Sequence, residues 1–161
     1  MASDVKFYKE DGSFKLRVCG VILSENKILV SNCDNAPFFS YPGGHVELGE
    51  DTKTAVIREV LEETNIQTEI VKTLANIQLF FQREDGKPFH EIGFYYLLKS
   101  KQPLKTTSFY KEEIDKGRKR VHKFTWITLE ELKSLDVRPT ALKEVLLKGL
   151  ENQEIINRVQ A

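Results

Sequence analysis

Cysteine is scarce in this chain: two residues in 161, Cys19 and Cys33, with neither in a CxxC or mixed Cys/His spacing. Two thiols are too few for a disulfide framework, and no zinc-binding pattern is present. Both are expected to be free, as in a reducing compartment. A surplus of charge is also lacking, because 24 Lys plus Arg meet 24 Asp plus Glu for a formal net charge of zero. A general binder of nucleic acid or of anionic membrane needs a basic excess, so both classes are disfavoured. No window reaches the roughly eighteen unbroken apolar residues that a membrane span requires. The stretch MASDVKFYKEDGS is polar and has no apolar signal-peptide core. A cytoplasmic location is the expectation these absences leave. Internal repeats, low-complexity tracts and Pro/Gly/Ser linkers are missing too, so residues 1–161 are expected to form a single domain.

What the chain does have is 40% hydrophobic and 10% aromatic residues, enough for a core without disulfide or metal staples. VKFYKEDGSFKLRVCGVILSENKILVSN reads as three strands, turning at Asp11-Gly12 and again around Glu25-Asn26. FFSYPGGHVELGE follows as an aromatic stretch, a Pro-Gly-Gly loop and a run of acids. Residues 52 to 64 have helical periodicity, with Val56, Ile57, Val60 and Leu61 as the apolar face. IQTEIVKTLANIQLFFQ and FHEIGFYYLLKS predict two long strands joined at REDGKP, and VHKFTWIT a further one. Thr128 and Glu131 form a capping box for a short helix. Pro139 then opens a last helix whose buried stripe is Leu142, Val145, Leu146 and Leu150. Strands dominate, with one helix in mid-chain and two near the end. That order predicts an α+β fold with a mixed sheet rather than regular βαβ winding.

The mid-chain helix carries an electrostatic conflict. In REVLEETN, Glu59, Glu62 and Glu63 fall on one helical face, roughly opposite the apolar one. Such clusters are ordinarily solvated surface. Internal ion pairing does not relieve this one, because Ala55 precedes Glu59 by four residues and Glu63 follows it by four. Arg58 precedes Glu62 by four, in the less favourable orientation. A divalent cation would offset the repulsion, since hard cations take carboxylate oxygens. The flanks favour that reading. Gly43 and Gly44 allow close backbone approach, and Glu47, Glu50 and Asp51 add acid between them and the helix.

Residues 44 to 66, GHVELGEDTKTAVIREVLEETNI, resemble the Nudix box, G-x5-E-x7-R-E-U-x-E-E-x-G-U with U a bulky aliphatic residue. Gly44 is the first glycine, Glu50 the first acid, Arg58 and Glu59 the Arg-Glu pair, and Val60 the aliphatic position. Glu62 and Glu63 are the paired acids, and Ile66 the last position. Asn65 stands where the family has glycine. That glycine closes the helix in a left-handed conformation, which Asn tolerates better than other side chains.

The resemblance implies a Nudix-type α/β/α sandwich with a central mixed β-sheet. It also implies hydrolysis of the diphosphate in a nucleoside diphosphate linked to another group, with Mg²⁺ or Mn²⁺ bound to the box. By that resemblance Glu59 and Glu63 are metal ligands, and Glu62 is a further ligand or the base that positions water. Glu50 and Arg58 complete the catalytic set, Arg58 as the brace of the acids. Gly43 and Gly44 lie where backbone meets substrate, with the Gly43 carbonyl available to a metal shell, and Tyr41 just before them is assigned to substrate binding. Candidate general bases outside the box are Glu91, for which an outward strand position is the plainer reading, and Glu112 or Glu113, expected in a loop where charge is ordinary. Phe38, Phe39, Tyr41, Phe80 and Phe81 are candidates to stack a base, against the commoner role of core.

The partner implied is a small nucleotide, with homodimers known among relatives. ADP-ribose-like compounds, nucleotide sugars and non-standard nucleoside triphosphates all remain open, because FFQRE lacks the proline of some ADP-ribose hydrolases. An RNA 5′-end pyrophosphohydrolase needs a basic groove, which the balanced charge disfavours; KGRKRVHK at 116–123 could grip a phosphate or RNA end, against the commoner role of a solvated loop. A non-catalytic nucleotide-binding module is the third class, disfavoured because Glu50, Glu59, Glu62 and Glu63 are all retained.

Overall fold

The computed structural model describes residues 2–115, 117–149 and, for the backbone alone, 156–160. The three expected first strands are Lys6–Tyr8 (β1), Ser13–Ser24 (β2) and Lys27–Cys33 (β3). Glu25 and Asn26 make the β2–β3 turn at φ 49° and 61°. Two successive left-handed residues give the tight turn whose twist suits a hairpin. Phe39–Ser40 (β4) and Gly43–His45 (β5) flank Pro42 and are too short to show a strand period in the sequence. Helix α1 spans Thr52–Thr64. It starts at Asp51, whose carboxylate accepts from the Lys53 and Thr54 N–H groups, and ends at Asn65 with φ 58°. The left-handed closure expected of Asn65 is therefore present.

Thr68–Gln82 (β6) and Pro88–Ser100 (β7) are the long antiparallel pair. Ser108–Asp115 (β8) and Arg118–Thr128 (β9) form a second hairpin. The expected loop around Glu112 and Glu113 is thus a strand. In YKEEID, Glu112 interrupts the Tyr110–Ile114 face and the other face is wholly charged, so the usual strand signal stays weak. Leu129–Ser134 (α2) opens in the Thr128–Glu131 capping box. Val137–Arg138 (β10), Thr140–Leu147 (α3) and Ile156–Gln160 (β11) complete the order. In α3, Leu142 and Leu146 are buried and Val145 is half-buried. Leu150 and the expected continuation of that helix to 153 lie outside the described residues.

The sheet runs β10-β4-β3-β2-β7-β6-β11, with β1 and β5 added on β2, and β9 and then β8 on β3. It is mixed: β2 and β7 are parallel over eleven residue pairs, while β6–β7 and β3–β9 are antiparallel. Helix α1 packs on one face against Val18, Ile22, Tyr96 and Leu98. Helices α2 and α3 cover the other, where Leu132, Leu142 and Leu146 meet Val21, Val30 and Leu97. These three layers are the α/β/α sandwich. Within α1 the buried residues are Ala55, Val56, Val60 and Thr64, whereas Leu61 is 41% exposed. The helix docks on its Val56–Val60 line, and Leu61, about 100° further round, turns outward. Among the described residues no helix is long and apolar enough to cross a membrane.

One feature of the sheet positions the site. β2 pairs with β3 only beside their turn, at Leu23–Ser24. Lower down, Arg17–Cys19 pair with β5 instead, while β3 continues along β9. The sheet forks there, and the cleft between the β5 limb and the β8–β9 limb receives the acidic face of α1.

Candidate active site

The cleft holds a cavity of about 480 Å³. Glu59, Glu62 and Glu63 of α1 and Gly43, Gly44 and His45 of β5 form one wall. Lys111 and Glu113 of β8 with Arg120 and His122 of β9 form the other, and Lys15 and Arg17 of β2 close the space between.

The α1–β5 wall is tightly built because two glycines remove side chains from it. A Cβ on Gly43 would collide with the Val18 carbonyl and the Cys19 backbone, so only glycine permits the β2–β5 pairing. A Cβ on Gly44 would collide with the Glu59 carboxylate, which lies against the Gly44 backbone. The freed Gly43 N–H donates to Glu63 Oε2 at 2.9 Å. Arg58 ties the remaining acids together. Its Nε and Nη2 donate to the two oxygens of Glu50, both at 2.8 Å, and Nη1 donates to Glu59 at 2.9 Å and Glu62 at 3.4 Å. Nη2 also reaches the His45 carbonyl at 3.1 Å, which locks the guanidinium to β5. The fork of Arg matches a carboxylate in two parallel bonds, a geometry Lys does not offer.

Helical periodicity sets all three glutamates opposite the apolar face. Only Glu62 is so placed, with its side chain 60% exposed. Glu59 and Glu63 are covered by β5, a contact the helix sequence does not encode. Their ionisation reflects it. Burial pushes Glu63 up to about 7, the Gly43 N–H and Arg17 notwithstanding, and nearby Glu59 and Glu113 add to the rise. Burial also raises Glu59 above the ordinary carboxylate range despite Arg58. Glu50 moves the other way, because the Arg58 hydrogen bonds hold it down.

This donor set fits a hard divalent cation in its chemistry: three carboxylates and a backbone carbonyl, all oxygen, on a wall where burial of Glu59 and Glu63 outweighs the nearby Arg58 and Arg17. As they stand, no three acid, His or Cys side chains among the described residues converge tightly enough to chelate. Glu59 is turned onto Arg58 and Glu63 onto the Gly43 N–H. Their separations are set by side-chain rotamers, since the backbone already presents all three on adjoining turns.

The β8–β9 wall is looser. Strand alternation decides between two neighbouring acids: Glu113 faces the cleft and lies 3.2 Å from His122 Nε2, while Glu112 faces away and pairs with Lys119 at 2.7 Å. Glu113 keeps 47% of its side chain exposed. Of the basic run at 116–123, Arg120 and His122 reach the cleft, Arg120 also holding Asp34 at 3.3 Å, and Lys116 lies outside the described residues.

Glu91 is not an outer-face residue. It is 6% exposed, inward on β7, with Arg17 Nη1 at 4.0 Å. It lines a second cavity, of about 440 Å³, that meets the first at Arg17. Tyr41 lines that second cavity too and is 3% exposed. Phe38, Phe80 and Phe81 join them there, whereas Phe39 packs against the core. Lys15, Arg17, His45 and Lys111 are site-lining residues with no sequence signal beyond being cations or a histidine on strands. Only the shared face of Lys15 and Arg17, two apart on β2, could have paired them in advance.

The NUDIX domain model matches residues 14–147 of the chain. The chain is similar to the ADP-ribose pyrophosphatase of Methanocaldococcus jannaschii, 39% identical over 99 residues, covering 59% of this chain and 56% of the relative. It is also similar to Nudix hydrolase 10 of Arabidopsis thaliana, 31% identical over 147 residues, covering 88% of this chain and 46% of the relative. The chain thus spans about half the length of these curated relatives. Among solved structures, a NUDIX hydrolase from Nitrosomonas europaea superposes with a TM-score of 0.62 at 18% identity, covering 96% of this chain and 82% of that one. That likeness concerns the fold.

Proposed function

The chain belongs to the NUDIX family, and from that premise we propose that it is a metal-dependent hydrolase of the diphosphate in a nucleoside diphosphate linked to a further group. The observation that carries this reading is the division of the 480 Å³ cleft. One wall presents Glu59, Glu62 and Glu63, and the rest of the lining brings Lys15, Arg17, Lys111 and Arg120. Acids suit a divalent cation, and cations suit the oxygens of a diphosphate. A diphosphate alone would be repelled by the three glutamates.

Glu59, Glu62 and Glu63 with the Gly43 carbonyl would hold Mg²⁺ or Mn²⁺. When bound, the ion supplies positive charge against the phosphoryl oxygens and lowers the pKa of a water. The remaining work belongs to the chain. Arg58 fixes the Glu50, Glu59 and Glu62 carboxylates relative to β5 through its five hydrogen bonds. Lys111 and Arg120 receive phosphoryl charge from across the cleft. Glu113 takes the proton of the attacking water. Its position across the cleft from α1 supports this role, as does its exposure. Glu112 points away, and Glu91 lies in the second cavity. The chain's similarity to a pyrophosphatase supports a nucleoside diphosphate linked to a further group as the substrate class, without choosing the base.

A phosphate-release screen with Mg²⁺ and with Mn²⁺ across ADP-ribose, nucleotide sugars, nucleoside triphosphates and dinucleoside polyphosphates tests the reading. Turnover of at least one class, abolished by chelator, is expected. No turnover of any member would overturn it in favour of a binding module.

A further inference from the structure

The second cavity is built for an occupant that the cleft alone does not explain. Three observations converge on it. Its lining is aromatic, with Phe38, Phe81 and Tyr95 among the contributors, and the Arg138 guanidinium is stacked over the Phe38 ring at 4.2 Å. It contains buried polar atoms without hydrogen-bond partners, the Tyr41 hydroxyl and the Arg17 Nε. It also contains a buried carboxylate, Glu91, whose contact with Arg17 is a loose 4.0 Å. Leaving such groups unpaired is costly in a folded protein, so a site that keeps them is one whose partners arrive with a ligand.

We propose that this cavity receives the nucleobase of the substrate, and that Glu91 selects an edge carrying two adjacent N–H donors, which among the common bases is guanine. The inference rests on the hydrolase reading for the direction of the phosphates only.

A carboxylate accepts hydrogen bonds and donates none. Adenine and cytosine set an amino donor beside a ring acceptor, and uracil sets one N–H between two carbonyls, so each presents a lone pair to one Glu91 oxygen. Guanine presents its ring N–H and its amino group side by side and fills both oxygens. The Tyr41 hydroxyl is a buried donor of the kind that a neighbouring base carbonyl requires. Aromatic side chains supply a stacking face that every base can use, so they give affinity without choice, and the carboxylate gives the choice. Arg17 sits where the two cavities meet, with Nη2 3.4 Å from the Gly43 carbonyl and Nη1 4.0 Å from Glu91. These contacts are weak for a guanidinium. A phosphoryl oxygen leading from the base toward the cleft would take Arg17 and release Glu91 to the base.

The test uses the full chain in EDTA, with guanosine, adenosine and uridine 5′-monophosphates as probes and calorimetric titration as the readout. Guanosine monophosphate is expected to bind about tenfold or more tightly than the other two, the scale of one good bidentate base contact. Glu91→Gln, which keeps the shape and replaces one acceptor by a donor, is expected to erase that preference. Phe38→Ala is expected to weaken all three nucleotides alike. Arg17→Gln is expected to weaken the monophosphates more than it weakens unphosphorylated guanosine. Equal binding of the three monophosphates by the unmutated protein overturns the proposal without needing any variant to fold, and so does a preference that survives Glu91→Gln. Because no metal or turnover is involved, base selection and hydrolysis fail separately. Turnover without base preference removes this assignment alone, and selective binding without turnover removes the hydrolase reading alone.

Discussion

The two walls of the cleft are made by opposite means. The α1–β5 wall is dense, with glycine backbone against carboxylate and one guanidinium holding three acids and a carbonyl. The β8–β9 wall is sparse, with Glu113 half exposed beside one histidine and the cations drawn from a hairpin. In the first, the contacts that fix the side chains lie within residues 43–63, with β5 docked on β2. In the second, position depends on which side of a strand a residue falls and on where the sheet forks. The dense wall is suited to hold a fixed charge arrangement, and the sparse one to approach a substrate after it binds.

Replacing Glu63, the α1 acid that burial raises to about 7, should show the contrast most strongly. Glu63→Gln on the dense wall is expected to keep the fold and lower kcat by about 10²–10³-fold, the scale seen when one electrostatic stabiliser is removed. Full activity in a steady-state assay would break the assignment of that wall. On the sparse wall, Glu113→Gln is expected to lower kcat by about 10²-fold, the scale for loss of a general base. Glu112→Gln, one residue away on the outer face, should leave kcat unchanged, and equal losses in the two variants would show that strand alternation does not decide the role.

Arg58→Lys keeps the charge and loses the fork. A loss of about 10–100-fold in metal affinity is expected, the scale for a residue that orients ligands. It is measurable as a smaller rise in melting temperature on adding Mn²⁺, since a ligand of the native state stabilises it by mass action. The smallest effect is at the helix end. Asn65→Ala should cost about 1 kcal/mol in urea unfolding, the penalty of a left-handed Cβ, while Asn65→Gly should cost nothing.

Legibility in the sequence follows the same division. The dense wall was readable because its parts stand at the fixed spacing of one motif within 23 residues: Gly44, Glu50, Arg58, Glu59, Glu62 and Glu63. What helical spacing misjudged was burial. Glu59 and Glu63 fall opposite the apolar stripe and would be solvated on an isolated helix, yet β5 lies over them. Leu61 was misjudged in the opposite sense, for the same reason. The sparse wall gave almost no signal, because YKEEIDKGRKR lacks the alternation that marks a strand. Glu91, between His90 and Ile92 on a strand, had an outward place as its plainer reading, and its burial against the second cavity has no mark in FHEIGF.

By itself, then, the sequence determined the family motif, the ends of α1, the mixed strand-rich order and the left-handed role of Asn65. These are local properties, set by spacing within one element and by the dihedral preferences of single residues. Tertiary structure alone decided which acid of Glu112 and Glu113 faces the cleft, that Arg17 joins two cavities, and that Glu91 is enclosed. Those depend on pairings between strands far apart in the chain, and a residue's own neighbours in sequence carry no record of them.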